Sequence, residues 1–237
     1  MILWLNAYNT NSDPKVIGGY FLETVRETGG CPRTLRADMG TENSSIRDIQ
    51  RSLRQNDLDL QSGERSFIYG RSTSNQRIES WWGILRKECV EFWLEQLHSL
   101  KNEGVFNGEF LDKNLIIFCF LGIIQTELDA VKESWNSHLI RPSRNQRVPH
   151  GRPEVMYLLP ELYNTQDYLC QIPEDEVNHY ENDCVHRSDI VCDNDIFTLC
   201  TSIMAENNLH VPGDTYMALD LYLFLRQELT NRLDIER

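Results

Sequence analysis

The first 70 residues alternate between strand-like and helix-like segments, and this alternation restricts the fold more than any other feature of the chain. Residues 1–9 are rich in Ile, Leu, Trp and Tyr, which favours a β-strand. Asp13 and Pro14 then supply an N-cap and a first helical position, and Gly29 follows the last apolar residue of the helical pattern. The next predicted elements are a strand over 33–38, a helix over 43–55 and a strand over 66–69. Such alternation favours an α/β layered fold.

The rest of the chain is predicted to be mainly helical. One helix begins near Ser74, a second runs from about 111 to 135, and a last amphipathic helix follows Gly213. The stretch 164–195 is polar, acidic and without regular pattern. This shift in charge and pattern predicts a first domain over residues 1–160 and an acidic, mainly helical extension over residues 161–237.

Two carboxylates stand in positions that suit a divalent cation. Asp38 follows the predicted strand at 33–38, and Glu79 lies one turn into the helix that begins near Ser74. Carboxylate oxygens are the ligands that Mg²⁺ prefers. The alternatives are a turn aspartate that caps its own loop and a solvated acid near a helix N-terminus.

Three blocks of sequence resemble known motifs. Residues 36–43 (Arg-Ala-Asp-Met-Gly-Thr-Glu-Asn) resemble the second-aspartate motif of retroviral-type integrase core domains, and residues 74–87 resemble their glutamate helix. A third block, over residues 135–154, is similar to the segment that follows the core in many integrases and transposases. The resemblance covers about residues 1–160 and is greatest to integrase-core proteins of transposon origin in animal genomes. It implies a ribonuclease-H-like α/β fold and Mg²⁺- or Mn²⁺-dependent DNA strand transfer.

The resemblance also implies roles for particular residues. Asp38 and Glu79 would be catalytic residues that hold the metal ions. Residues of the glutamate helix and its approach would bind the DNA backbone, namely Arg71, Asn75, Arg77, Arg86 and Lys87. A solvated helix surface is the alternative for these residues. For the neighbouring Trp81 and Trp82, core packing is preferred over base stacking, because both fall on the apolar stripe of the helix.

One departure from the family pattern bears on activity. The family uses three carboxylates, Asp, Asp and Glu, and no residue here matches the first Asp. Asp13 is the nearest acid, but it is predicted to cap a helix. We therefore expect a partial integrase core that lacks its first strands, from a chain truncated at its start, and no catalysis by the chain as given. The alternative is a protein-interaction or regulatory module of transposon origin that recruits a partner, or itself, through the open edge of the strand at 1–9.

The charge distribution limits the expected DNA binding. The net charge is −13, but residues 161–237 hold 16 acidic and four basic side chains, whereas residues 31–90 carry eight acidic and ten basic ones. Phosphate binding depends on local Lys and Arg, so weak binding remains compatible with an acidic chain. A basic connector could contact DNA or pair with the acidic tail; its members are Arg141, Arg144, Arg147 and Arg152.

We expect a soluble, intracellular protein of the nucleus or cytoplasm that is not secreted. No basic and apolar leader follows Met1, and the longest apolar run, Leu115 to Ile124, is about half of what a bilayer requires. The seven cysteines form no CxxC pair, so reduced thiols are expected. Ordinary side-chain roles are preferred over a zinc site for the nearby group His179, Cys184, His186 and Cys192, because zinc sites show tighter ligand spacing.

Overall fold

The computed structural model describes residues 1–70, 76–142 and 149–235. The helices are α1 (Pro14–Thr28), α2 (Ser44–Leu53), α3 (Gln76–Leu85), α4 (Glu91–Asn102), α5 (Phe110–Ser137), α6 (Pro153–Leu158), α7 (Glu174–Asn178), α8 (Asn194–Glu206) and α9 (Thr215–Ile235). The strands are β1 (Gly30–Pro32), β2 (Leu35–Ala37), β3 (Phe67–Tyr69) and β4 (Leu169–Gln171). A π-helical turn, Arg86–Val90, joins α3 to α4.

Helix α1 begins and ends where its sequence signals place it. Asp13 is extended, and its side chain accepts a hydrogen bond from the backbone N–H of Lys15 at 2.8 Å. Gly29 closes the helix in the left-handed conformation, with φ of 72°, which costs glycine little because it has no Cβ. Asp13 is therefore a capping residue in the structure.

The four strands form two small sheets. β2 and β3 are parallel, with Leu35 opposite Phe67, whereas β1 and β4 are antiparallel. Helices α1 and α2 pack over these strands and form an apolar core, whose fully buried members include Phe21, Leu22, Val25, Ile46, Ile49, Leu53 and Phe67. This arrangement agrees with the predicted α/β character of the first part of the chain.

The strand predicted over residues 1–9 is wrong, because these residues form no strand in the structure. Side chains of α5 take the place of a neighbouring strand. The Asn136 amide accepts from the N–H of Ile2 at 2.8 Å and donates to its carbonyl at 3.0 Å, and the Gln125 side chain accepts from the N–H of Ala7 at 2.9 Å. A strand needs a hydrogen-bonded neighbour, and α5 provides amide side chains instead. The open strand edge expected at residues 1–9 is therefore absent.

The apolar stripe of α3 and α4 is narrower than predicted. Trp81, Leu85, Cys89 and Trp93 are buried at intervals of four residues, whereas Trp82 is 47% exposed. A four-residue interval exceeds the 3.6 residues of an α-helical turn, so a regular α-helix would rotate these side chains out of line. The wider π turn at Arg86–Val90 compensates for part of this drift. The prediction of core packing thus holds for Trp81 and is wrong for Trp82.

Two compact units divide the chain. The first comprises residues 1–5, 10–82 and 132–187 and contains both sheets; the second comprises residues 6–9, 83–131 and 188–237 and is helical. Within the second unit, Arg226 pairs with Asp112 at 2.8 Å, and the Tyr222 hydroxyl donates to the carbonyl of Val105 at 2.8 Å. The predicted boundary at residue 160 falls inside the first unit, and as a domain boundary it stays a prediction.

Helix α5 is, among the described residues, the one helix long and apolar enough to cross a membrane by length and composition. Its interior polar residues are nevertheless bonded to protein groups. Asp112 pairs with Arg226, and the Asn114 side chain accepts from the N–H of Asp193 at 2.8 Å. Core helices of soluble proteins pass the same length test, and these contacts favour a core role for α5.

Candidate metal and nucleic-acid site

The candidate site begins at the carboxyl ends of β2 and β3. The carbonyl of Ala37, the last residue of β2, accepts a hydrogen bond of 2.8 Å from the N–H of Gly70, which follows β3. Parallel pairing therefore brings the two strand ends side by side. Asp38 is the first residue after β2, and α3 is the next helix along the chain after β3. The side chain of Arg36 lies against Gly70, so a larger residue at position 70 would displace it.

Asp38 is exposed, and its carboxylate is oriented by its own loop. Its Oδ1 accepts a hydrogen bond of 2.8 Å from the Asn43 amide and a longer one, of 3.3 Å, from the N–H of Gly40. The same amide lies 3.5 Å from Oε1 of Glu42, so Asn43 joins two carboxylates. Glu42 was not among the site residues predicted from the sequence. Its position, four residues after Asp38 in a turn, offered no periodic signal that would have identified it.

Glu79 occupies the first turn of α3, as predicted, and its side chain is exposed. Among the described residues it has no hydrogen-bonded or charged partner. The N-terminus of α3 carries the partial positive charge of the helix dipole, which favours a carboxylate at this position. The convergence of Asp38 and Glu79 on one cation stays a prediction. Arg71 and Asn75 lie outside the described residues.

The donor set is chemically suited to Mg²⁺ or Mn²⁺. Both ions take oxygen ligands, and both candidate side chains present exposed carboxylates. The Asn43 hydrogen bond holds one oxygen of Asp38 and leaves the other, Oδ2, without a hydrogen bond from the described residues. Such outer contacts orient metal ligands in known sites. The residues present therefore fit a divalent cation.

The predicted phosphate-binding side chains that can be described are exposed. Arg77 lies on α3, in the first unit, while Arg86 and Lys87 lie in the π turn, in the second unit. Arg86 is 4.0 Å from Glu91, which is a weak pair at the surface. Exposure agrees with both a DNA-binding role and a solvated surface. π turns often occur at functional sites, which favours the first interpretation.

Several other arginines near the sheet are already paired. Arg47 binds Asp48 at 2.7 Å, and Arg51 binds Glu64 at 2.8 Å. Hydrogen bonding to Asp48 raises the pKa of Arg47, and the same contact lowers the pKa of Asp48. These guanidinium groups are less available for phosphate, which limits the local positive charge.

One group of potential metal ligands lies elsewhere in the described part of the chain. Carboxylate oxygens of Asp57 and Asp59 and the sulfur of Cys170 lie within 4.8 Å of one another. The buried guanidinium of Arg54 pairs with both carboxylates, and its positive charge balances their negative charge. Arg54 lowers the pKa of Asp59 chiefly through a hydrogen bond. We therefore interpret the group as an ion-pair cluster.

Three of the four Cys and His residues weighed as zinc ligands have other contacts within the first unit. His186 lies 3.5 Å from Glu23 and 3.3 Å from Glu181, and the His179 ring contacts Tyr180. Cys184 lies beside Gly18. The assignment of ordinary Cys and His roles to this group stays a prediction.

Local contacts join the two ends of the basic connector. Ile140 and Gly151 exchange two backbone hydrogen bonds of 3.0 Å, and Arg152 binds the carbonyl of Ser137 at the end of α5. Arg141 and Arg152 are both exposed, and Arg152 has this local backbone partner. Arg144 and Arg147 lie outside the described residues. Among the tail acids, Glu181 pairs with Arg26 of α1 at 2.6 Å.

Comparison with known proteins identifies a family. A family model described as an integrase core domain matches residues 1–157 and so includes Asp38, Glu79 and the π turn. No curated protein and no solved structure matches the chain. The matched region covers well over half of the 237 residues and carries the motifs noted above. The chain therefore belongs to the integrase core domain family.

Proposed function

We propose that this protein is a DNA-binding integrase-core protein in which Asp38 and Glu79 are two members of an ancestral carboxylate set for Mg²⁺ or Mn²⁺. The observation that carries the proposal is the position of Asp38. It leaves the carboxyl end of β2, beside the end of β3, inside the region matched by the family. Integrase core domains act on DNA, so the partner expected is a DNA backbone, and the nucleus is the compartment that this partner favours.

The side chains would act by position and charge. Asn43 holds the Asp38 carboxylate in one orientation, which lowers the entropy lost when a cation binds. Arg77 in the first unit, and Arg86 and Lys87 in the second, would contact phosphate oxygens and position DNA without reading its sequence. A bound divalent ion supplies charge neutralisation and activation of a hydroxyl for attack on phosphorus.

The 237-residue polypeptide is expected not to join DNA ends by itself. The family reaction uses three carboxylates, and the family motifs locate only Asp38 and Glu79 here. The test is a joining assay on labelled DNA ends with Mg²⁺ or Mn²⁺. Joining by the wild-type chain that Asp38→Asn abolishes would contradict the expected inactivity and support an active metal site.

DNA binding is tested by fluorescence anisotropy with a labelled duplex over a series of salt concentrations. Weak binding that falls steeply with salt is expected, because released counterions drive the association. Lys87→Gln should weaken binding and reduce the slope of log K against log salt by about 1. Lys101→Gln is the matched control, since Lys101 is also an exposed lysine, at the end of α4. No binding at low salt, or equal effects of both variants, would refute the proposed contact.

The interaction-module alternative has lost the feature on which it was based. It required a strand with an open edge at residues 1–9, and the structure forms no strand there. We therefore propose no second function.

A further inference from the structure

Two cysteines face each other across the β1–β4 ladder. Cys31 of β1 is directly opposite Cys170 of β4. The ladder continues on both sides, because the N–H of Arg33 donates to the carbonyl of Tyr168 at 2.9 Å and the N–H of Ile172 donates to that of Gly29 at 3.3 Å. Hydrogen-bonded and non-hydrogen-bonded pairs alternate along an antiparallel ladder, and the two bonds above lie two positions to either side of Cys31 and Cys170. Cys31 and Cys170 are therefore a hydrogen-bonded pair, and the Cα atoms of such a pair are about 5.5 Å apart. That spacing lies within the range of about 4.4–6.8 Å found for disulfides.

The two thiols also differ in accessibility. Directly opposite residues point to the same face of a sheet, with Cβ atoms about 4.5–5.5 Å apart. Disulfides join Cβ atoms about 3.5–4.5 Å apart, so bond formation requires the two strands to approach slightly at this pair. Cys31 is fully buried, whereas Cys170 is partly exposed. Burial raises the pKa of the Cys31 thiol to about 12, and the nearby Cys170 adds to this effect while Arg54 opposes it. A reagent from solution would therefore reach Cys170 first.

We propose that Cys31 and Cys170 form a reversible cross-strand disulfide when the protein meets a small-molecule disulfide such as oxidised glutathione. The Cys170 thiolate attacks a sulfur of the oxidant, which forms a mixed disulfide and releases one thiolate of glutathione. The Cys31 thiolate then attacks the Cys170 sulfur and releases the second glutathione. The two protein thiols are oxidised, the oxidant is reduced to two thiols, and the two protons pass to the released thiolates.

The bond would link the part of the chain matched by the family to the segment that follows it. Cys31 precedes β2, which leads to Asp38, while Cys170 lies beyond residue 157, where the match ends. The closed loop spans the greater part of the chain, so the cross-link would restrict the unfolded state strongly. Oxidation would thus fix β4 on β1, the strand that precedes β2 in the chain, independently of whether the candidate site binds DNA.

The test is peptide mapping of the full chain after equilibration in glutathione redox buffers and alkylation of free thiols. Cleavage after Glu separates the two cysteines cleanly, since residues 28–42 contain only Cys31 and residues 162–174 contain only Cys170. The expected product is a cross-linked pair of these peptides, absent after reduction. The oxidised protein should also melt several degrees higher than the reduced protein.

Cys184→Ser is the matched control, because Cys184 is another partly exposed cysteine of the first unit. It should retain the cross-link and the rise in melting temperature, and Cys170→Ser should lose both. Recovery of both peptides in fully alkylated form from the folded, oxidised wild-type protein would overturn the proposal. So would linkage of Cys31 to any cysteine other than Cys170.

Discussion

At the scale of single residues, Arg54 is the most deeply buried charged side chain among the described residues. Only 1% of it is exposed, and it pairs with Asp57 and Asp59, whose side chains are 41% and 37% exposed. Removal of one partner from a buried pair is costly when the remaining charge stays buried. Here the buried charge is the guanidinium, so loss of the two acids should cost more than loss of the arginine.

This asymmetry gives a stability prediction. The double variant Asp57→Asn/Asp59→Asn should lower the melting temperature by several degrees, and Arg54→Met should lower it less, because the carboxylates can turn toward water. Thermal unfolding monitored by circular dichroism measures both. A larger loss of melting temperature for Arg54→Met than for the double variant would contradict this asymmetry.

The same pair predicts an acid dependence. The hydrogen bond from Arg54 lowers the pKa of Asp59 from its usual value of 3.8. Stabilisation from a lowered pKa is complete above the usual value and is lost as pH falls through the lower, folded value. The wild-type protein should therefore lose stability below about pH 4, and Arg54→Met should show less of this loss in a pH series of melting temperatures.

Sequence reasoning was strongest for residues with local signals. Asp13 capped α1, and Asp38 and Glu79 occupy the strand end and first helical turn predicted for them. The burial of Arg54 could not be predicted, because it depends on a turn that brings Asp57 and Asp59 back onto the guanidinium. The contact between Asn43 and Asp38 also depends on loop geometry that no periodic pattern specifies.

At the scale of elements, the N-terminal segment shows why a strand-like composition was insufficient. Propensity describes one segment, whereas a strand also needs a partner with matching hydrogen bonds. Ile2 finds both of its backbone partners on the side chain of Asn136. The π turn was not predicted either, because the sequence showed an apolar stripe and the four-residue spacing of its buried members is set by packing.

Asn136→Ala should release this segment. It removes two hydrogen bonds, each worth about 0.5–1.5 kcal/mol, so local opening of residues 1–5 should become roughly 5- to 160-fold more frequent. Hydrogen exchange of the N-terminal peptide, followed by mass spectrometry, measures this change. Asn231→Ala, on the exposed face of α9, is the control and should leave the exchange of that peptide unchanged. Unchanged protection in Asn136→Ala would show that other contacts hold the segment.

At the scale of the whole molecule, the acidic charge opposes the proposed DNA binding. The chain carries −13, and within the first unit three consecutive exposed acids, Glu174, Asp175 and Glu176, form the first turn of α7. Surface charges act on a polyanion over roughly a Debye length, which is about 10 Å at 0.1 M salt and about 3 Å at 1 M.

The triple variant Glu174→Gln/Asp175→Asn/Glu176→Gln should therefore raise DNA affinity a few-fold at low salt, and the difference from wild type should disappear as salt increases. Anisotropy titrations of both proteins at matched salt concentrations measure this, with circular dichroism to confirm that the fold is retained. An affinity gain that persists at high salt would point to a direct contact of α7 with DNA, and no gain at low salt would mean that these acids lie too far from the bound duplex to act on it.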